Sequence, residues 1–242
     1  MIMSKMRYYL VPIVFMIGYL AVSLLFTFFI DNAIVVSYIA DIITAVVGII
    51  YIKKFIGTDG TLKPTFKQTF LMTLVIIILW FVCQLISTWL YGFSNDTNFD
   101  KYTELIQSHL VSYIILSVIV APVTEEILMR GIIFGSINKH NKIAAYVISI
   151  VVFTIMHGTF THIPVTVLFG LIFAFVYDIT GNLLYSILIH FANNLFSVFL
   201  TGITVPSVML TGPVAITFYI ISLLLVVFFV IGYYRKSSLK EQ

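Results

Sequence analysis

The stretch Ala121-Pro122-Val123-Thr124-Glu125-Glu126-Ile127-Leu128-Met129-Arg130-Gly131 sets two adjacent carboxylates and a guanidinium inside an apolar run from about His109 to Ile137. A run of that length crosses a bilayer as a helix. An ionisable side chain within it is costly unless paired or hydrated. Nothing about spanning a membrane requires two glutamates. On a helix Glu126 and Arg130 lie four residues apart on one face, so they can form an ion pair. Glu125, rotated by about 100° from Glu126, is left outside that pair. The division predicts one bracing carboxylate and one free to act. Pro122 predicts an interruption just ahead of the pair, with Thr124 capping the segment that restarts. Taken alone, the motif is equally a buried Glu–Arg clamp between helices.

Outward from this stretch the chain is apolar almost throughout. Of its 242 residues 61% are hydrophobic and 10% charged, with a mean hydropathy of +1.11. Soluble domains are about a quarter charged, so a water-soluble fold is excluded. The apolar blocks fall at about 8–30, 33–52, 69–91, 109–137, 143–160, 164–179, 182–200 and 214–234. The expected fold is all-α, a polytopic membrane protein of about eight transmembrane helices. No polar linker or low-complexity tract divides it, so 1–242 is expected to be a single domain. The lone Cys83 excludes a disulfide framework. No internal repeat is evident, which argues against an inverted-repeat transporter.

Alternating the spans from a cytoplasmic N-terminus puts Lys5, Arg7, Lys53, Lys54, Lys139, Lys142 and the terminal basic residues on the cytoplasmic face, with only Lys101 outside. Both termini are therefore expected in the cytoplasm and 92–108 outside, in a multi-pass protein of the cell membrane. The first apolar run is too long for a cleavable signal and lacks a small-residue cleavage site.

Few ionisable residues lie within the spans: Asp41, Glu125, Glu126, Arg130, His157, Asp178 and His190. Asp41 and Asp178 stand apart and are read first as packing or interfacial groups. The rest cluster in the fourth, fifth and seventh spans. His190 and Asn194 are four apart and share a helical face. At 1.5 Å per residue, Glu125 lies roughly 21 Å in from Lys139 and His157 roughly 21 Å in from Ile143; His190 and Asn194 lie roughly 12 and 18 Å in from Asn182. A lone membrane histidine is more often a packing residue than a catalyst. Four groups on three spans at similar depths can instead meet in one cavity.

Glu-Glu-x-x-x-Arg at 125–130, Phe-x-x-x-His at 153–157 and His-x-x-x-Asn at 190–194, in that order, resemble the CPBP family of intramembrane proteases (the CAAX protease and bacteriocin-processing, or Abi, family). The flanks agree, with Ala121-Pro122 before the glutamates and Tyr177-Asp178-Ile179-Thr180-Gly181-Asn182-Leu183 before the last motif. The resemblance covers roughly 117–197, a catalytic core within the domain. It implies an endopeptidase in which Glu125 and His157 activate water and His190 with Asn194 holds the developing oxyanion. Glu126 and Arg130 would brace the site. The family is also described as metalloproteases, and Glu125, His157 and His190 are the alternative zinc ligands. Since His-Glu-x-x-His is absent and an amide is a poor zinc ligand, no cofactor is expected to be required. The implied partners are the lipid bilayer and a membrane-associated peptide or protein substrate, with no nucleic acid. Bacterial relatives suggest bacteriocin immunity, pheromone maturation or surface-protein control, and ten lysines against three arginines suit an AT-rich bacterium and its plasma membrane.

Two other classes use the same residues. A proton-coupled transporter would employ the glutamates and histidines as a relay, and an immunity or scaffold protein would keep the fold without turnover. The topology has a direct test: in a Cys83→Ala background, an impermeant thiol reagent added outside cells should label Asn95→Cys and spare Ser237→Cys. The opposite pattern overturns the orientation.

Overall fold

The computed structural model describes residues 2–57, 109–157 and 163–201, with side chains described over 8–57, 109–157 and 163–195. Six helical stretches carry these residues: α1 (Ile2–Thr27), α2 (Ala33–Tyr51, continued by a π-helical turn Ile52–Ile56), α3 (Leu110–Asn138), α4 (Lys142–Met156), α5 (Ile163–Thr180) and α6 (Leu183–Thr201). No strand occurs among the described residues. In hydrocarbon the backbone must satisfy its own hydrogen bonds, and a helix does so within one segment. The spans Tyr8–Thr27, Ala33–Ile56, Leu110–Asn138 and Ile163–Thr180 are long and apolar enough to cross a membrane, whereas α4 and the described part of α6 are shorter apolar helices. The expected third and eighth spans, the C-terminus and the 92–108 loop lie outside the described residues.

Polar residues start and stop these helices. The Asn32 side chain accepts from the N–H groups of Ile34 and Val35 at 3.0 and 3.2 Å, and Asn141 accepts from Ala144 at 3.0 Å. Between α5 and α6, Gly181 takes a left-handed φ of 60°, and its N–H returns to the Tyr177 carbonyl at 2.8 Å. Asn182 then accepts from Leu184 N–H at 3.0 Å. The Thr-Gly-Asn sequence thus closes one helix and opens the next.

α3 and α5 form the centre. Every residue from Ile127 to Phe134 is buried, as are most of α5's, and a helix apolar all round belongs inside a bundle. α1 instead turns Ile13, Val14, Ile17 and Leu20 outward, a surface suited to lipid tails.

α2 lies along α3 in the same direction. The Tyr38 hydroxyl donates to Ser112 O at 2.7 Å near one end, and Lys139 Nζ donates to Ile56 O at 2.7 Å near the other. Between them two glycines bring the backbones together: a Cβ on Gly48 would sit 2.5 Å from Ile127 Cγ2, and one on Gly131 would sit 2.3 Å from Ile52 Cδ1. Small residues permit such approaches in membrane bundles.

The expected break at Pro122 does not occur. α3 continues through it because a π-helical turn, Leu116–Val120, precedes the proline, with Ala121 N–H bonded to Leu116 O five residues back. In that five-back series the N–H that proline lacks would have met the Ser117 carbonyl. Thr124 does not cap a new start; its hydroxyl lies 3.2 Å from both Val120 O and Asp41 O. α4 also ends at Met156, earlier than the expected boundary, with His157 as its C-cap residue.

The Gly48 contact predicts that Gly48→Ala lowers stability in detergent by about 1–3 kcal/mol, the usual cost of overpacking. Ile127→Ala, which removes the opposing methyl, should recover part of that loss in the double variant. Equal thermal midpoints for wild type and Gly48→Ala would refute the close approach.

Candidate active site

The structure gathers the polar residues of α3, α4 and α6 around the two glutamates. Glu126 is fully buried and accepts three donors: Arg130 Nη1 at 2.8 Å, His190 Nδ1 at 2.9 Å and the Ser186 hydroxyl. Arg130, also fully buried, directs Nη2 to Gly170 O at 2.9 Å, which ties α3 to α5. Its guanidinium lies over the rings of Phe153 and Phe173, 4.8 and 5.3 Å from their centroids. His190 stacks on Phe173 with centroids 4.6 Å apart. These aromatic walls exclude water, which strengthens each charged contact within them.

Glu125 is placed differently. Its Oε2 lies 3.9 Å from His157 Nε2 and 3.8 Å from His190 Nε2, and it takes no hydrogen bond among the described residues. The Glu125 side chain is a fifth exposed, although Oε2 itself is buried, and His157 is a third exposed, whereas His190 is nearly closed off. The other nitrogen of each ring is committed. His157 Nδ1 meets Phe153 O at 2.7 Å, and since a carbonyl only accepts, that nitrogen carries the proton. Nδ1 of His190 faces the Glu126 carboxylate and carries a proton by the same reasoning. In the neutral rings both Nε2 atoms therefore present lone pairs toward Glu125.

Asn194 sits a turn beyond His190 on α6. Its Nδ2 donates to Ser117 O at 2.8 Å, and its Oδ1 accepts from Asn193 Nδ2 at 2.9 Å. One of its two amide protons is thereby taken, and the other has no acceptor among the described residues.

The sequence-derived residues thus divide into a contiguous cluster, Glu125, Glu126, Arg130, His157 and His190, with Asn194 anchored at its edge to α3. Asp178 lies elsewhere, joined to Lys142 Nζ at 3.1 Å and to the Tyr146 hydroxyl at 3.0 Å, a tie between α4 and α5. Asp41 is buried on α2, where the Tyr19 side chain hydrogen-bonds to it. Sequence reasoning missed Ser186, Phe173 and the carbonyls of Gly170 and Ser117. Ser186 had a signal, because Ser186-x-x-x-His190-x-x-x-Asn194 continues one helical face; backbone carbonyls leave none.

Among the described residues no three His, Cys, Asp or Glu side chains converge as a metal-binding group. Glu125 lies 3.8 and 3.9 Å from the two histidine Nε2 atoms, and these three side chains are the ones that would hold a zinc ion, with the Asn194 amide as the remaining polar group nearby.

A helical membrane protein with a buried carboxylate–histidine cluster is the class these features define. Residues 107–196 match the family of type II CAAX prenyl endopeptidases, Rce1-like, and that segment holds every residue of the cluster. The chain is 35% identical over 115 residues to YdiL of Bacillus subtilis, which bears a provisional membrane-peptidase name; the match covers 47% of each chain. It is 30% identical over 131 residues to the membrane-embedded CAAX protease MroQ of Staphylococcus aureus, covering 51% of this chain and 53% of that one. A UPF0177 protein of Lactococcus lactis, YxdF, is 29% identical over 147 residues, 60% of this chain and 76% of that one. The matched region spans about half the length of the first two relatives. No solved structure matches. The protein is a multi-pass membrane protein whose segment 107–196 is similar to the Rce1-like CAAX endopeptidases.

Glu126→Gln should destabilise the fold by about 3–5 kcal/mol, because it leaves the buried Arg130 guanidinium without its counter-charge. Thermal unfolding in detergent should show a much larger loss for Glu126→Gln than for Glu125→Gln. Equal losses would contradict the division of labour between the two carboxylates.

Proposed function

We propose that the protein is an intramembrane endopeptidase that hydrolyses a peptide bond of a membrane-associated peptide or protein precursor. The observation that supports this most is the placement of Glu125 Oε2 between two ring nitrogens at 3.8 and 3.9 Å. A water hydrogen-bonded at about 2.8 Å to both Glu125 and His157 fits that spacing. Glu125 takes a proton from this water as it attacks the substrate carbonyl carbon, and His157, with its bare Nε2, holds the water in line. The carbonyl oxygen becomes the oxyanion, stabilised by the remaining Asn194 N–H and by His190. For His190 to donate from Nε2 while Nδ1 serves Glu126, the ring must carry both protons, and because Glu126 already balances Arg130, the ionised Glu125, and after proton transfer the oxyanion, is the charge that balances it. Glu125 then returns its proton to the leaving amine. Every step uses the chain's own side chains, with no metal.

MroQ of Staphylococcus aureus is named as a membrane-embedded CAAX protease, which favours a protein or peptide substrate presented at the bilayer. Processing of bacteriocins, peptide pheromones or surface proteins are the roles such a substrate would imply.

Mass spectrometry of membrane peptides from cells carrying wild type or Glu125→Gln tests activity and substrate together. The wild type should produce cleaved peptides that the variant lacks, since Gln keeps the shape but cannot accept the proton. Asn194→Ala should slow product formation about a hundredfold or more, the usual cost of one preorganised oxyanion donor. Identical peptide profiles would sink the peptidase reading. Stoichiometric zinc in purified protein, whose removal and return switch cleavage off and on, would replace the metal-free mechanism with a metal-dependent one.

A further inference from the structure

The π-helical turn ahead of the glutamates and the anchoring of Asn194 are parts of one arrangement. Within that turn the backbone bonds reach five residues back, as in Ala121 N–H to Leu116 O. The next bond in the series would run from residue 122 to Ser117 O. Residue 122 is proline and has no N–H. Ser117 O is the acceptor that Asn194 Nδ2 occupies at 2.8 Å. A carbonyl cannot donate, so the amide must turn its nitrogen toward Ser117, and Asn193 Nδ2 on Asn194 Oδ1 fixes the other end.

We propose that Pro122 is a positioning residue: by withholding its N–H from the Ser117 carbonyl, it creates the acceptor that holds the Asn194 side chain at the site. The proline acts through Asn194 and touches no reacting atom. A part-buried acceptor inside a membrane bundle left without a donor is costly, so proline favours the α3–α6 contact. An ordinary residue at 122 would satisfy Ser117 within α3 and leave Asn194 free to rotate. This builds on the reading of Asn194 as part of a hydrolytic site, but its physical core stands without it.

The test is a double-mutant cycle on the full-length protein in detergent micelles, using Pro122→Ala, Asn194→Ala and the pair. Asn194→Ala alone orphans the Ser117 carbonyl and should lower the thermal midpoint by about 2–4 °C or more, as a loss near 1 kcal/mol does in a chain of this size. Adding Pro122→Ala supplies the missing N–H and should raise the midpoint again, while product peptides in the membrane stay at the low level of Asn194→Ala. A merely structural proline predicts the reverse, a further fall in the double variant, and that result overturns the proposal. A second readout reports on the side chain itself. In protein labelled with 15N-asparagine, the side-chain amide signal identified as Asn194 by its loss in Asn194→Ala should shift in Pro122→Ala; an unmoved signal also overturns the proposal. Should Pro122→Ala not accumulate as folded protein, Asn194→Leu decides: a midpoint below wild type supports an orphaned carbonyl, and an unchanged one rules it out. If no variant or wild type produces cleaved peptides, the peptidase reading fails while the stability cycle still decides on Pro122.

Discussion

The carboxylate of Glu126 and the guanidinium of Arg130 meet at 2.8 Å with neither side chain exposed. Moving either ion alone out of water costs several kcal/mol, so the pair exists only because its surroundings complete it. Ser186 and His190 give Glu126 two further donors, Gly170 O accepts from Arg130, and two phenylalanine rings face the guanidinium. Through these contacts one ion pair joins α3, α4, α5 and α6. It also sets the tautomer of His190, because the ring nitrogen that faces Glu126 must carry a proton. The orientation of the ring that meets Glu125 is thus a by-product of neutralising its neighbour.

Adjacent glutamates with the same side chain consequently have opposite surroundings. Glu126 is saturated with donors and sealed. Glu125, one step around the helix, keeps an oxygen with no hydrogen bond among the described residues and a fifth of its side chain open. A carboxylate already satisfied by three donors is a poor acceptor for a fourth proton-bearing group, so the two cannot exchange parts. A sealed and an open carboxylate are separated by a single residue of helical rotation.

Much of this was legible before any coordinates. The four-residue spacing of Glu126 and Arg130 implied their pairing, the position of Glu125 implied its exclusion, and counting residues inward placed the histidines at compatible depths. Helix ends at Asn32, Asn141 and Gly181 follow from side chains and backbone freedom that local sequence expresses. Pro122 was misread for a physical reason: proline states that a donor is missing but not how the helix accommodates the loss. A break and a π-helical turn both solve that problem, and the choice depends on whether another helix offers a donor. Asn194 does so from 72 residues away along the chain, and no local pattern carries that information. Ser186 was overlooked because a serine in an apolar helix is unremarkable until the helical face it shares with His190 and Asn194 is drawn.

The paired glycine contacts between α2 and α3 also have a mechanical consequence. Gly48 receives the methyl of Ile127, and Ile52 fills the space above Gly131, so each helix carries both a notch and a peg. Two such fittings on parallel rods act as a key in a slot: sliding by one residue, or turning by a fraction of a turn, drives a peg against a wall. Translation and rotation of α2 against α3 are both blocked. The two helices are keyed into one beam along which the glutamates are mounted.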